Sequence, residues 1–235
     1  MDICRFRTDT SSMARTRSTD PDEIRASRRV GNPRENRGTG DASDVRALGR
    51  ALKELGIPDR PADRATAPIP PPSIRRSRAT PGTIHPLTTR EIREFLTWLG
   101  PIGTYGLFAI ALRQRPSPDA MRLATYRAPD TILLYAQPEP PWEIAGRLDA
   151  WSVRRIETCG ARVTRLATST TVDFPDDCLR RFMLFEGLAH ELGHHIVQQY
   201  EGKRAVRKLR TADHEARASA FARACQRRWL DERSD

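Results

Sequence analysis

The chain has 235 residues, 38% of them hydrophobic, and 40 Lys and Arg stand against 30 Asp and Glu for a net charge of +10. That length suits one domain with a working core plus an appendage. The longest uncharged run, Thr97 to Leu112, has 16 residues and is broken by Gly100-Pro101, whereas a membrane span takes about 20 apolar residues.

The four cysteines (Cys4, Cys159, Cys178, Cys225) form no CxxC pair, and MDICRFRTDT has no apolar signal core. A cytoplasmic protein with reduced thiols and no membrane partner is therefore expected. Residues 1–80 hold 23 hydrophobics and one aromatic, Phe6, against 66 hydrophobics and 14 aromatics in 81–235. The front segment lacks the apolar surface that offsets ordering entropy. Residues 1–86 read as a disordered basic tail and linker, and residues 87–235 as the folded domain. Within the tail, Val45, Leu48, Leu52 and Leu55 predict a short helix over residues 44–55. The proline-rich stretch from Pro58 to Pro86 predicts an extended spacer.

In the folded part, Thr88-Thr89-Arg90-Glu91 fits a capping box. Ile92, Phe95, Leu96 and Leu99 continue it as a helix that Gly100-Pro101 should stop. Tyr105–Leu112, Met121–Tyr126 and Thr131–Ala136 have strand character, with a turn at residues 127–130. Residues 142–158 are ambiguous, and a hairpin from Trp151–Thr158 to Ala161–Ala167 is one reading. Thr170–Phe174 predicts a further strand. Two helices close the chain, from about Pro175 to Tyr200 and from about Thr211 to Leu230. This order predicts an α+β domain with helices packed on a sheet.

The chemistry concentrates in His190-Glu191-Leu192-Gly193-His194. Imidazoles four residues apart on a helix lie about 5–6 Å apart at Cβ and can share one ion. Glu191, next to that face, can reach a water on the ion. This is the HExxH arrangement of zinc hydrolases, with two nitrogen ligands and a general base. The bland alternative is an amphipathic helix that happens to carry histidines.

Catalytic zinc takes a third protein ligand. The metzincin continuation fails, since Val197 and Tyr200 stand where Gly and His are needed. Glu215 shares a narrow stripe with Ala218, Ala222, Cys225 and Trp229. A carboxylate on a buried stripe is costly unless paired, and a metal would satisfy it; a salt bridge to an arginine is the alternative. Asp213 and His214 point elsewhere around the helix, by about 200° and 100°. His195 is read as a supporting residue rather than a ligand, and His214 and His85 as exposed. Tyr200, Lys203 and Arg207 are candidate oxyanion donors. Thr170–Phe174 is the strand expected to hold a peptide by strand addition.

HELGH followed by Glu215-Ala-Arg-Ala218-Ser219-Ala-Phe221-Ala222 resembles the ImmA/IrrE family of regulatory gluzincin metallopeptidases. That resemblance implies a zincin-like fold, one Zn2+ and cleavage of a protein substrate such as a transcriptional repressor. By position it makes His190, His194 and Glu215 the ligands and Glu191 the base. The specific part of the match spans residues 190–222, with Ser219 departing from the Asn or Asp common there. A different reading is a zinc-stabilised binding module without turnover, its basic tail contacting nucleic acid or an acidic partner.

Overall fold

The computed structural model describes residues 70–117, 122–201 and 212–233. The tail over residues 1–69, including the helix expected at 44–55, lies outside the described residues. The fold is α+β, as the element order predicts, with two main sheets and helices packed against them.

Strand β1 (Ser73–Arg76) and the short β2 (Thr83–Ile84) come first, then helix α1 (Thr89–Thr104), β3 (Ala109–Arg113), β4 (Ala124–Arg127), β5 (Thr131–Tyr135) and the short β6 (Gln137–Pro138). The first sheet runs β1-β3-β5-β4, with β1, β3 and β5 parallel and β4 antiparallel to β5. Ile110, Leu112, Ile132 and Leu134 enter the main core, while Ala111, Leu133 and Tyr135 form a small second cluster. Burial on both faces is what a parallel sheet requires, and it explains the near-continuous apolar runs of β3 and β5.

β1 corrects the expected boundary at residue 87. Its four residues pair in register with Ala109–Leu112, so the folded unit reaches back into the stretch read as a spacer. As an edge strand it keeps three of its four residues exposed, with only Ile74 packed against the core. Prolines before it and arginines within it disguise it as linker.

The capping box forms: Glu91 N–H donates to Thr88 Oγ1 at 3.2 Å, and Thr88 N–H donates to Glu91 Oε2 at 2.7 Å. Ile92, Phe95, Leu96 and Leu99 of α1 are buried. Gly100, at φ 79°, breaks the helix as expected, but a further helical turn runs on to Thr104.

The ambiguous stretch resolves into strand β7 (Trp142–Ala145) and helix α2 (Ala150–Thr158). The hairpin expected from Trp151 does not form. Asp149 caps α2 by accepting from Ser152 N–H at 2.8 Å and from the Ser152 hydroxyl at 2.6 Å. Val153 and Ile156, one turn apart, bury its inner face. Gly160, at φ 95°, ends this helix instead of turning a hairpin. Strands β8 (Arg162–Arg165) and β9 (Ser169–Asp173) complete the antiparallel sheet β7-β9-β8.

The penultimate helical run has three parts: α3 (Cys178–Phe182), a π segment (Met183–Ala189) and α4 (His190–Glu201). Helix α5 (Ala212–Asp231) follows and packs along α4. Phe95 of α1 stacks edge-on against Phe185 at 6.2 Å and Trp229 at 5.2 Å between ring centroids. Burying each such ring stabilises by roughly 1.5–3 kcal/mol. This aromatic cluster ties α5 to the run that carries the histidines. Among the described residues no helix is long and apolar enough to cross a membrane.

Candidate metal centre

His190 and His194 project from one face of α4, and their Nε2 atoms lie 3.1 Å apart. Glu215, in the first turn of α5, places Oε2 3.4 Å from each of those nitrogens. The residues are 1%, 0% and 1% exposed, and one donor atom from each falls within 4.8 Å of the others. The structure thus brings the two histidines and the distant carboxylate together.

The donors fit a small divalent cation. With bonds of about 2.0–2.1 Å, the nitrogen pair would subtend about 98° and each nitrogen–carboxylate pair about 112°, on either side of the tetrahedral angle. Two imidazole nitrogens and one carboxylate oxygen in a dry pocket also match the donor set of a transition-metal site. Burial pushes the Glu215 carboxyl upward, but the two facing imidazoles outweigh it and hold the group well below the usual carboxylate range. It is therefore an anion when a cation arrives.

The close approach of the helices depends on Gly193, between the two histidines. A Cβ there would lie 2.8 Å from both Cα and the carbonyl oxygen of Ala218. A glycine inside a helical pattern signals close backbone packing. That signal is present in the sequence and makes Gly193 as much a part of the site as its neighbours.

Glu191 is fully buried and turns toward the first sheet, where Tyr126 N–H of β4 donates to its Oε2 at 2.6 Å. A carboxylate that accepts a backbone N–H is fixed in orientation. Sequence reading places Tyr126 on a strand but gives no hint of this bond, which joins residues 65 apart.

His195 supports the site, as expected. It is fully buried, donates from Nε2 to Tyr105 O at 2.9 Å and sets Nδ1 3.4 Å from the Tyr126 hydroxyl. The helix is thereby anchored to the loop before β3 and to β4. Two other histidines depart from expectation. His85 is 8% exposed, with Nε2 3.0 Å from Ser77 O, because β1 brings the chain back over it. His214 is half-buried, its ring 4.9 Å from that of His194 in an edge-on contact. The tight α4–α5 packing draws in the residue beside Glu215.

The strand expected to receive a peptide is also corrected. β9, which contains most of Thr170–Phe174, is the middle strand of its sheet, hydrogen-bonded to β7 and β8. The sheet edge beside α4 is β4. Lys203, Arg207 and the side chain of Tyr200 lie outside the described residues.

Burial and charge together set an acid sensitivity. Burial holds His195 and His85 below the ordinary imidazole value of 6.5, against the pull of the Tyr105 and Ser77 carbonyls respectively. Below pH 6.5 the unfolded chain takes up protons that the folded chain refuses, so stability falls. Below the ordinary carboxyl value of 4.5, Glu215 adds to the loss, because its folded carboxyl protonates only at lower pH. The unfolding midpoint of the metal-free chain is expected to drop from pH 7 to pH 5, with a smaller drop in His195→Gln. A midpoint that is flat over that window would contradict this assignment.

No family model, curated protein or solved structure matches the chain.

Proposed function

We propose that the chain is a zinc-dependent endopeptidase with a protein substrate, arranged like the ImmA/IrrE metallopeptidases and, like them, acting on a repressor-like regulator. One juxtaposition carries the reading: Glu191, buried and oriented, stands next to a converging group of two imidazoles and a carboxylate. A site built only to staple two helices has no use for a second carboxylate at that place.

His190, His194 and Glu215 would hold the ion, and zinc suits their two-nitrogen, one-oxygen donor set. The chemistry such an ion supplies when bound is Lewis acidity, which acidifies water and polarises a carbonyl. Glu191 takes the proton of the attacking water and returns it to the leaving amine. Tyr126 N–H keeps that carboxylate aimed through both transfers. An extended substrate would add along β4, the sheet edge nearest the helix.

The test is metal removal. The full-length chain, loaded with one equivalent of zinc, is incubated with unfolded proteins, and new amino termini are identified by mass spectrometry. Cleavage is expected to stop with a chelator and return with added zinc. Absence of any zinc-dependent terminus would refute the reading, and a nucleic-acid or acidic-partner module would then be the better account.

A further inference from the structure

Next to the metal centre a cavity of about 200 Å³ opens between α2, the π segment and α5. His190 forms part of its wall, so the cavity and the metal centre share one side chain. Trp151, Arg154 and Arg155 line it from α2, Glu186 from the π segment, and Ser219 and Arg223 from α5.

Its charges are not balanced. Arg155 is committed to Glu186 by an ion pair, and its guanidinium lies 4.3 Å over the Trp151 ring. That pairing cancels the single acidic charge of the lining. Arg154 and Arg223 have no ion-pair partner among the described residues. Arg154 and Arg223, both exposed, therefore leave the lining with two uncompensated positive charges beside a site that would itself hold a cation, and Ser219 adds a hydroxyl-bearing residue. Such a lining attracts an anion and rejects lysine or arginine. The volume admits a single side chain rather than a folded partner.

Position identifies the source of that anion. Side chains of an extended peptide recur about every 3.3 Å and alternate between faces. With a scissile bond at the metal centre, a side chain one or two residues away reaches the space behind His190. We propose that this cavity is the specificity pocket of the peptidase and takes an acidic substrate side chain, glutamate or aspartate. This rests on the endopeptidase reading, and the experiment separates the two.

A fluorescently labelled peptide with one central glutamate, and its glutamine twin, are titrated into zinc-loaded full-length Glu191→Gln protein, which holds peptides without cutting them. The glutamate peptide is expected to bind at least about 10-fold tighter. That ratio is expected to fall toward one in a protein that also carries Arg154→Gln and Arg223→Gln, exposed changes that leave the core intact. Equal binding of the two peptides, no binding of either, or a ratio unchanged by the arginine substitutions would each overturn the pocket. A phosphoserine peptide that outcompetes glutamate would also overturn it as stated, by making phosphate the ligand. Zinc-dependent cleavage by the wild-type chain with no acidic preference near the cut bond refutes the pocket alone. Selective glutamate binding with no cleavage of any peptide refutes the endopeptidase reading and leaves the anion site standing.

Discussion

Glu191→Gln is expected to lower the turnover of any peptide substrate by about 10²–10⁴-fold, the usual contribution of a general base, while one zinc per chain is retained. The substitution is nearly isosteric, and the amide oxygen can still accept from Tyr126 N–H, now 2.6 Å from the carboxylate. None of the three candidate ligands is touched. Removing a charge from a fully buried position relieves a desolvation cost. The unfolding midpoint of the zinc-loaded variant is therefore expected to stay level or rise. Activity lost together with stability kept is the mark of a catalytic group. Turnover within a few-fold of wild type would remove Glu191 from the mechanism. Turnover lost together with zinc would mean that Glu191 acts on the ligands, not on the water.

What could be read from the sequence divides along physical lines. The pairing of His190 with His194 needs only the helical repeat, a local rule, and it was legible. Glu215 was legible because a lone carboxylate on an otherwise apolar stripe requires a partner, and the stripe itself is buried throughout. The capping box at Thr88 and Glu91 is local as well. What escaped depends on partners distant in the chain. β1 is a strand only because Ala109–Leu112 offers it an edge. β9 looks like any strand in isolation, and only β7 and β8 on either side make it central instead of an edge. Trp151–Thr158 is ambiguous between helix and hairpin strand by pattern alone, and Asp149, three residues before Ser152, is the local helix-start signal that favours the helix. The bond from Tyr126 to Glu191 and the cavity behind His190 have no sequence signature, since each is assembled from separate elements.

Gly193→Ala is expected to weaken zinc binding by at least about tenfold, one of the largest effects available from a single methyl group. Its Cβ would meet Cα and the carbonyl oxygen of Ala218, both at 2.8 Å, and the carbonyl carbon at 3.2 Å. These are backbone atoms, so no rotamer change relieves the overlap and α5 must retreat as a unit. Glu215 lies one turn before Ala218 on that helix and moves with it, away from imidazoles that now face it at 3.4 Å. Overpacking of this kind costs about 1–3 kcal/mol. Alanine returns about 1 kcal/mol through helix propensity, so the chain stays folded while the ligand set opens. Ala218→Gly is not expected to rescue it, because the clash is with the Ala218 backbone and not with its methyl group. The control is Gly187→Ala in the same helical run. There the nearest atom is Met183 Cε at 3.5 Å, the end of a flexible side chain, and zinc affinity is expected to hold. Isothermal titration of the metal-free variants with zinc measures both. Equal affinities for the two would separate the metal centre from the closeness of α4 and α5, and the site would then owe its geometry to the aromatic cluster alone.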